Sequence, residues 1–451
     1  MADDSLKQHV VAVVGGATAG SEVARILAER GAVVFVIEQN PRPYGKIEDG
    51  LPRWHRKQRL EEYRAIDSRL SHPNIEFVPR TSLGRDVHFE DLVHNWELSA
   101  LVLAHGAWRD RPFPVEGADR FVGRGLVYQN SLIYWFNHYP EAGYDGPRYD
   151  VPGGVLVVGG GLASIDVVKV LQIHVVLTAL AQRGLEAQME ELEREGLEPV
   201  LKHHGLTWDD LKIAPCRLYY RRRVLDMPLS DIPSEANPKR AEMLRQARAK
   251  ILEKAQRKYL FEFQESSVPT AIIENDGRLA GLVISRTEHS DGRVRLVPGS
   301  AQEIPATMVV SSIGSIPAEL AGLPCEGEVY SYVDRARGLL MAEPTLVFAA
   351  GNVLSGKGNI KDSLESGSEI GQRLAEQYLG LAGDKFKPGE AERRQAEVQA
   401  QAVAEMVAAK PALPAATVAR LRERFRQRQR AVGYDGDYRQ WIARVTPPDL
   451  Q

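Results

Sequence analysis

His9-Val10-Val11-Ala12-Val13-Val14-Gly15-Gly16-Ala17-Thr18-Ala19-Gly20 is a short apolar run that ends in glycines and small residues. A helical pattern follows from Ser21 to Arg30, and Ala32 to Glu38 reads as a second strand, so the unit is β–turn–α–β. Gly15 and Gly20 hold the outer positions of G-x-G-x-x-G, where missing side chains let backbone N–H groups at a helix N-terminus approach a pyrophosphate. The middle position is Ala17, one methyl more than the pattern allows, and Gly16 is expected to relieve the crowding. Glu38, at the end of the second strand, stands where a carboxylate accepts hydrogen bonds from a ribose diol. An ordinary tight turn shares the glycines; the placed carboxylate favours a nucleotide.

Further along, Gly154 to Val158 starts a second β–α unit, and Gly159-Gly160-Gly161-Leu162-Ala163-Ser164 repeats the fingerprint with Ser164 at the third glycine position. A small non-glycine residue there is expected to widen the helix–strand packing slightly. Helical periodicity from Gln172 to Lys212, broken by Gly184, Gly196 and Gly205, reads as an insertion before the strand Arg217 to Arg221. That strand ends in Tyr219-Tyr220-Arg221-Arg222-Arg223. A site for unphosphorylated ribose would place a carboxylate here, whereas guanidinium groups bind a 2′-phosphate bidentately. Arg221 and Arg222 are therefore the expected phosphate ligands, with a solvated arginine cluster as the plainer alternative. Two fingerprints in this order ask for two dinucleotides held face to face, the layout for passing hydride between a nicotinamide and a flavin.

Bulk properties narrow the classes. A chain of 451 residues exceeds what one core usually serves. Its net charge is -3 with both signs mixed along the chain, which speaks against nucleic acid or a membrane surface as partner. Cys216 and Cys325 are too few for an iron–sulfur cluster or a structural zinc site, so no metal site is expected and any cluster sits on another protein. They are also far apart in sequence, unlike the C-x-x-C pair of a disulfide reductase. Met1 to Gln8 is polar and acidic, and no apolar run reaches 18 residues, so the expectation is a soluble, cytoplasmic protein.

Several motifs together resemble a known family. Gly15 to Gly20, Glu38, Tyr44-Gly45-Lys46, Gly50-Leu51-Pro52, Gly84-Arg85-Asp86-Val87 and Leu103-Ala104-His105-Gly106-Ala107 resemble the adrenodoxin reductase and glutamate synthase small-subunit type of FAD/NADPH flavoproteins. The likeness extends over about residues 9 to 380 and includes the Tyr-Arg-Arg at the second strand end, followed by Met227-Pro228. It implies FAD at the first fingerprint, with Ala19, Glu38, Lys46 and Val87 touching the flavin nucleotide and the Ala104–Gly106 backbone beside it. It implies NADP(H) at Gly159, Gly161, Leu162, Ala163, Ser164, Arg221 and Arg222. His105 replaces the family's Thr, and Gly351-Asn352 replaces its Gly-Asp or Gly-Trp. Gly358 and Ile360 are implied to face the flavin and the nicotinamide, at the start of a helix from about Ile360 to Tyr378 whose dipole would stabilise reduced flavin. His55 and Asp166 match a His and an Asp near the flavin and are the candidate catalytic residues.

The expected fold class is α/β, with two interleaved three-layer Rossmann-like domains, a helical insertion at 172–212 and a helical C-terminal tail. Residues 1–145 and 326–382 would bind FAD, 146–325 NADPH, and 383–451 would form the extension. The expected function is FAD-dependent electron transfer between NADP(H) and a ferredoxin or an iron–sulfur subunit, including a 2-oxoacid:ferredoxin-type complex. The first strand starts at His9, so the cysteine-rich N-terminal domain of glutamate synthase small subunits is not expected. A relay or scaffold subunit without its own turnover and a flavin monooxygenase are the alternatives. In the tail, Val418, Leu421 and Phe425 form an apolar stripe, while Arg420, Arg422, Arg424, Arg426, Arg428 and Arg430 cover the rest. Such a helix either docks an acidic partner or packs on its own domain with the arginines in water; the insertion carries the same ambiguity.

Overall fold

The computed structural model describes residues 5–141, 143–229, 237–290, 293–355 and 390–447. Val10–Val14 and Val33–Ile37 are buried at every position, the signature of strands covered on both faces. They lie at the heart of a sheet ordered Leu339–Met341, Leu346–Ala349, Ala100–Leu103, Val10–Val14, Val33–Ile37, Ile75–Val78. All its pairings are parallel except that of the edge strand Leu339–Met341. The chain thus leaves this sheet after Leu103 and returns to it at Leu339.

Between those points runs a second parallel sheet ordered Leu126–Tyr128, Val309–Ser312, Leu156–Gly159, Arg217–Tyr219, Glu262–Gln264. One face carries the helices Gln129–His138, Leu162–Ala181 and Pro238–Tyr259. The other is covered by the antiparallel strands Ser267–Asn275, Arg278–Ser290 and Gln302–Pro305, whose Leu279, Leu282 and Ile284 pack under Val309 and Leu156. Leu162–Ala181 is long and apolar enough to cross a membrane, yet most of it lies inside this core. Gln172, in its middle, stitches the layers: its amide donates to the Tyr259 and Leu260 carbonyls (3.1 and 2.8 Å) and accepts from the Cys216 N–H (3.1 Å).

The insertion is a set of short helices, Met189–Glu195, Leu197–His203 and Trp208–Leu211, broken where Gly184, Gly196 and Gly205 take φ of +71, +98 and +70°. Its Leu192, Leu197, Val200 and Leu201 belong to the core of the second sheet. The C-terminal helices close the first. Glu390–Ala408 packs on the helix Thr18–Glu29 through Ala396, Ala400, Val403 and Ala404. Ala415–Ala431 lies on the opposite face, where Phe425 stacks on Phe35 at 3.8 Å between ring centroids.

The six tail arginines all find partners within the chain, although Arg420, Arg426 and Arg430 stay more than half exposed. Arg420 pairs with Glu97, Arg422 with Glu76 (3.4 Å), Arg426 with Glu76 (3.9 Å), Arg428 with Asp86 (2.8 Å) and Arg430 with Glu423 (2.6 Å). Arg424 lies over the Trp96 ring and donates to the Asn95 carbonyl (3.0 Å). The apolar stripe packs on the helix's own domain, and Glu76, Asp86 and Glu97 of that domain pair with four of the six arginines.

Candidate active site

In the first β–turn–α, Gly15 sits at φ +98°, and a Cβ there would lie 2.6 Å from the Ala104 carbonyl oxygen. At Gly20 a Cβ would fall 1.8 Å from the Gly15 carbonyl oxygen, closer than any contact a backbone can yield. These are sites only glycine fills. The methyl of Ala17, by contrast, points at Gly45, whose own missing Cβ would lie 2.9 Å away at φ +50°. Gly45, and not Gly16, therefore makes room for Ala17; a Cβ on Gly16 would itself strike Pro43 at 2.7 Å. Sequence reading noted Gly45 only as part of a motif; its signal was a glycine just before a helix.

Glu38 accepts from the Gly16 N–H and the Asn40 N–H, both at 2.9 Å, which locks the turn to the second strand. Burial pushes its carboxyl up to about 7 against those two bonds, and the charge of Asp49 adds to the rise. Ala19 abuts Gly351, where a Cβ would meet it at 2.6 Å. The return strand thereby brings Gly351 and Asn352 over the first helix. Gly351 N–H donates to Gln399 (3.0 Å), and Asn352 is buried with its amide Oδ1 without a partner among the described residues. An orphaned buried acceptor is what a ligand hydroxyl would satisfy.

Lys46 reaches away from the first turn to the Asn130 and Ser315 oxygens, 3.3 Å from each, beneath Trp108. Burial pulls its ammonium down to about 8 against the attraction of Asp110 and Glu392. Gly106 turns at φ +76° beside Trp108. His105 is half-buried and pulled down to about 4 by desolvation, hence neutral, with Nδ1 3.1 Å from the Gly106 carbonyl. Val87 lies in the loop after Ile75–Val78, its carbonyl accepting from the Gly84 N–H (2.7 Å).

The second turn is built differently. Ser164 is fully buried; its hydroxyl donates to the Ser312 carbonyl (2.9 Å), tying helix Leu162–Ala181 to strand Val309–Ser312. A Cβ on Gly159 would strike that same hydroxyl at 2.2 Å, and one on Gly160 would strike Tyr220 at 2.2 Å. Gly161 faces open space, with Leu162 and Ala163 beginning the helix behind it. Ser164–Ser312, Ser315–Lys46 and Gly45–Ala17 form a short chain of contacts linking the two fingerprints.

At the neighbouring strand end the three arginines divide their roles. Arg223 pairs with Asp226 at 3.0 Å. Arg221 has no side-chain partner among the described residues, and Arg222 Nε is buried without one. Their backbones are pinned: Thr287 Oγ1 donates to the Arg221 carbonyl (2.8 Å) and Ser266 N–H to that of Arg222 (2.9 Å). Two anchored, uncommitted guanidinium groups beside a glycine that faces open space suit a phosphorylated nucleotide.

No family model matches the sequence. The chain is 24% identical over 348 residues to the mitochondrial NADPH:adrenodoxin oxidoreductase of Arabidopsis thaliana, covering 70% of this chain and 69% of that one. The chain is also similar, at 29% identity over 190 residues, to a probable ferredoxin/ferredoxin–NADP reductase of Mycobacterium tuberculosis, of which it spans 32%. A shorter stretch of 166 residues is 33% identical to the beta subunit of the NADPH-Fe(3+) oxidoreductase of Geobacter sulfurreducens, 36% of this chain and only 23% of that subunit. In fold it is similar to FprA of Mycobacterium tuberculosis solved with NADPH, at a TM-score of 0.59 and 18% identity over 89% of this chain and 90% of FprA.

His55, one of the two candidate catalytic residues, is 5% exposed. Burial, with the charges of Lys169 and Arg59, pushes its imidazole well below the usual range, so it is neutral. Lys169 is wholly buried, 3.7 Å from Asp166 and 3.2 Å from Glu193, and lies over the Trp54 ring. His55 and Asp166 thus share a neighbour in one buried polar cluster. Gly358, Ile360 and the helix expected from there to Tyr378 lie outside the described residues. Cys216 is buried and Cys325 exposed, and neither is in a disulfide.

Proposed function

We propose that the chain is an FAD-dependent oxidoreductase that moves electrons between NADP(H) and an iron–sulfur protein. Residues 1–145 with 326–382 hold FAD in this reading, and 146–325 hold NADP(H). The observation that carries it is the contrast at the two strand ends: a buried carboxylate locking the first turn, and two uncommitted arginines beside the second. FAD, when bound, supplies the exchange between two-electron hydride chemistry and single-electron transfer. The protein's part is alignment. Gly15, Ala17 and Gly20 open the first helix N-terminus to a pyrophosphate, and Asn352 offers an acceptor to a ribityl hydroxyl. Gly161 admits the second pyrophosphate, and Arg221 and Arg222 grip a 2′-phosphate. Neutral His55 exchanges no charge during transfer; its place is to shape the ring stack and exclude water.

The external acceptor is a ferredoxin or an iron–sulfur subunit, because the two cysteines of this chain cannot hold a cluster. Purified chain should be yellow, with flavin bands and no iron–sulfur charge-transfer bands. It should reduce an artificial dye with NADPH in preference to NADH. A colourless chain that takes up no FAD on reconstitution would overturn the reading. A yellow chain inert with NADPH and dye would instead make it a relay subunit.

A further inference from the structure

Away from both fingerprints, a cleft of about 380 Å³ opens between the helix Arg56–Leu70, the end of helix Gln129–His138 and the insertion at Ala187 to Glu190. That size fits a small ligand. Arg53, Arg56 and Arg59 line it on one side. Arg59 is 5% exposed and donates to the Tyr63 hydroxyl (3.1 Å) and the Glu48 carbonyl (3.0 Å). Arg53 lies between the Phe136 and Tyr139 rings, 4.9 Å from each centroid, and donates to the Tyr139 hydroxyl and Met189 Sδ, both at 3.3 Å. Neither forms an ion pair with a carboxylate among the described residues.

The carboxylates nearby do not neutralise them. Glu48 pairs with Arg42 at 2.5 Å, and Glu141, on the cleft wall, pairs with His138 at 2.8 Å. Glu190 lines the exposed lip. Taking a guanidinium out of water without a counter-ion costs several kcal/mol, and here the fork is held in place by stacked rings and neutral acceptors beside an open space. The lining also includes the apolar Leu60, Leu177 and Met189.

The geometry points to a binding site for a small amphipathic anion, a carboxylate or phosphate ester on a short apolar body. Its head group takes the terminal N–H donors of Arg59 and Arg53 that their protein partners leave over, and its body lies on Leu177 and Met189. Such a ligand bridges the first domain to the helical insertion. The site is separate from the electron-transfer reading and stands or falls without it.

The test uses the full chain with whatever prosthetic group it retains, titrated calorimetrically with hexanoate, hexyl phosphate and neutral hexanol at constant ionic strength. Binding of either anion, with hexanol at least tenfold weaker, supports the site, and the tighter anion identifies the head group. Arg59→Gln and Arg53→Gln should each weaken that anion at least tenfold, while Arg439→Gln, an exposed residue outside the cleft lining, should not. Because Arg59 also braces Glu48, hydrogen exchange at amides 187–190 of the wild-type chain gives a second readout. Anion, but not hexanol, should slow it. No binding by either anion, equal binding of hexanol, or affinities unchanged in both variants would overturn the proposal.

Discussion

The two fingerprints perform one geometric task by opposite means. In the first, the third position is Gly20 and helix and strand touch backbone to backbone; in the second, Ser164 replaces that contact with a hydroxyl bonded to Ser312. In the first the middle position carries a methyl, absorbed by Gly45; in the second Gly161 is bare and faces open space. The first strand pair ends in a buried carboxylate occupied by its own backbone, the second in Arg221 and Arg222, whose side chains have no ion-pair partner among the described residues. The first turn is thus satisfied by its own backbone, and the second leaves donors for the ligand proposed there. That difference fits a cofactor that stays and one that comes and goes.

Gly20→Ala is the strongest way to break the comparison. Its methyl would collide with a backbone oxygen that cannot step aside, so the expected loss exceeds about 3 kcal/mol, read as a fall in chemical-denaturation stability together with loss of bound flavin. Intact flavin binding in this variant would mean that the first turn is not the close-packed one.

Glu38 sharpens it through pH. The group ionises near 4.5 when unfolded and near 7 when buried, so the unfolded chain releases its proton first. Stability from this group is therefore greatest below about pH 4.5 and falls as pH rises to 7, by on the order of 3 kcal/mol. In Glu38→Gln that decline should vanish, whatever the constant cost of the lost N–H bond. Parallel stability curves for the two proteins across this window would contradict the burial argument.

At the second site, Arg221→Gln and Arg222→Gln should each raise KM for NADPH about ten- to a hundredfold, the value of a charge-assisted bond. NADH kinetics should hardly change. Arg223→Gln, whose wild-type guanidinium already pairs with Asp226, should leave NADPH untouched. Equal losses for both coenzymes would remove the phosphate assignment. The smallest effect is expected for Ser164→Gly: about 1 kcal/mol from the lost hydroxyl bonds, measured as a small drop in midpoint denaturant without loss of nucleotide binding.

Much of the architecture was legible because it rests on local patterns. The strand expected from His9 to Val14 is Val10–Val14, the one expected from Ala32 to Glu38 is Val33–Ile37, and the one expected from Gly154 to Val158 is Leu156–Gly159. Each depends on periodicity or turn chemistry that neighbours in sequence supply. Other features resisted reading because they depend on contacts across long separations. His55 looks exposed among Arg53, Trp54 and Arg56, yet Lys169 and Trp54 enclose it. The tail arginines show no partners in the local sequence, yet Glu76 of the strand Ile75–Val78 and the acidic Asp86 and Glu97 pair with them.

The amino-acid order alone determined that there are two glycine-rich turns, that each follows a buried strand, and that one ends near a carboxylate and the other near arginines. Those are properties of a few consecutive residues and their backbone freedom. Only the tertiary structure decided which arginines are uncommitted, which glycine yields to Ala17, and that the last helices complete the first domain's layers. Charge pairing and steric room are set by residues hundreds of positions apart, and no local pattern encodes which of them will meet.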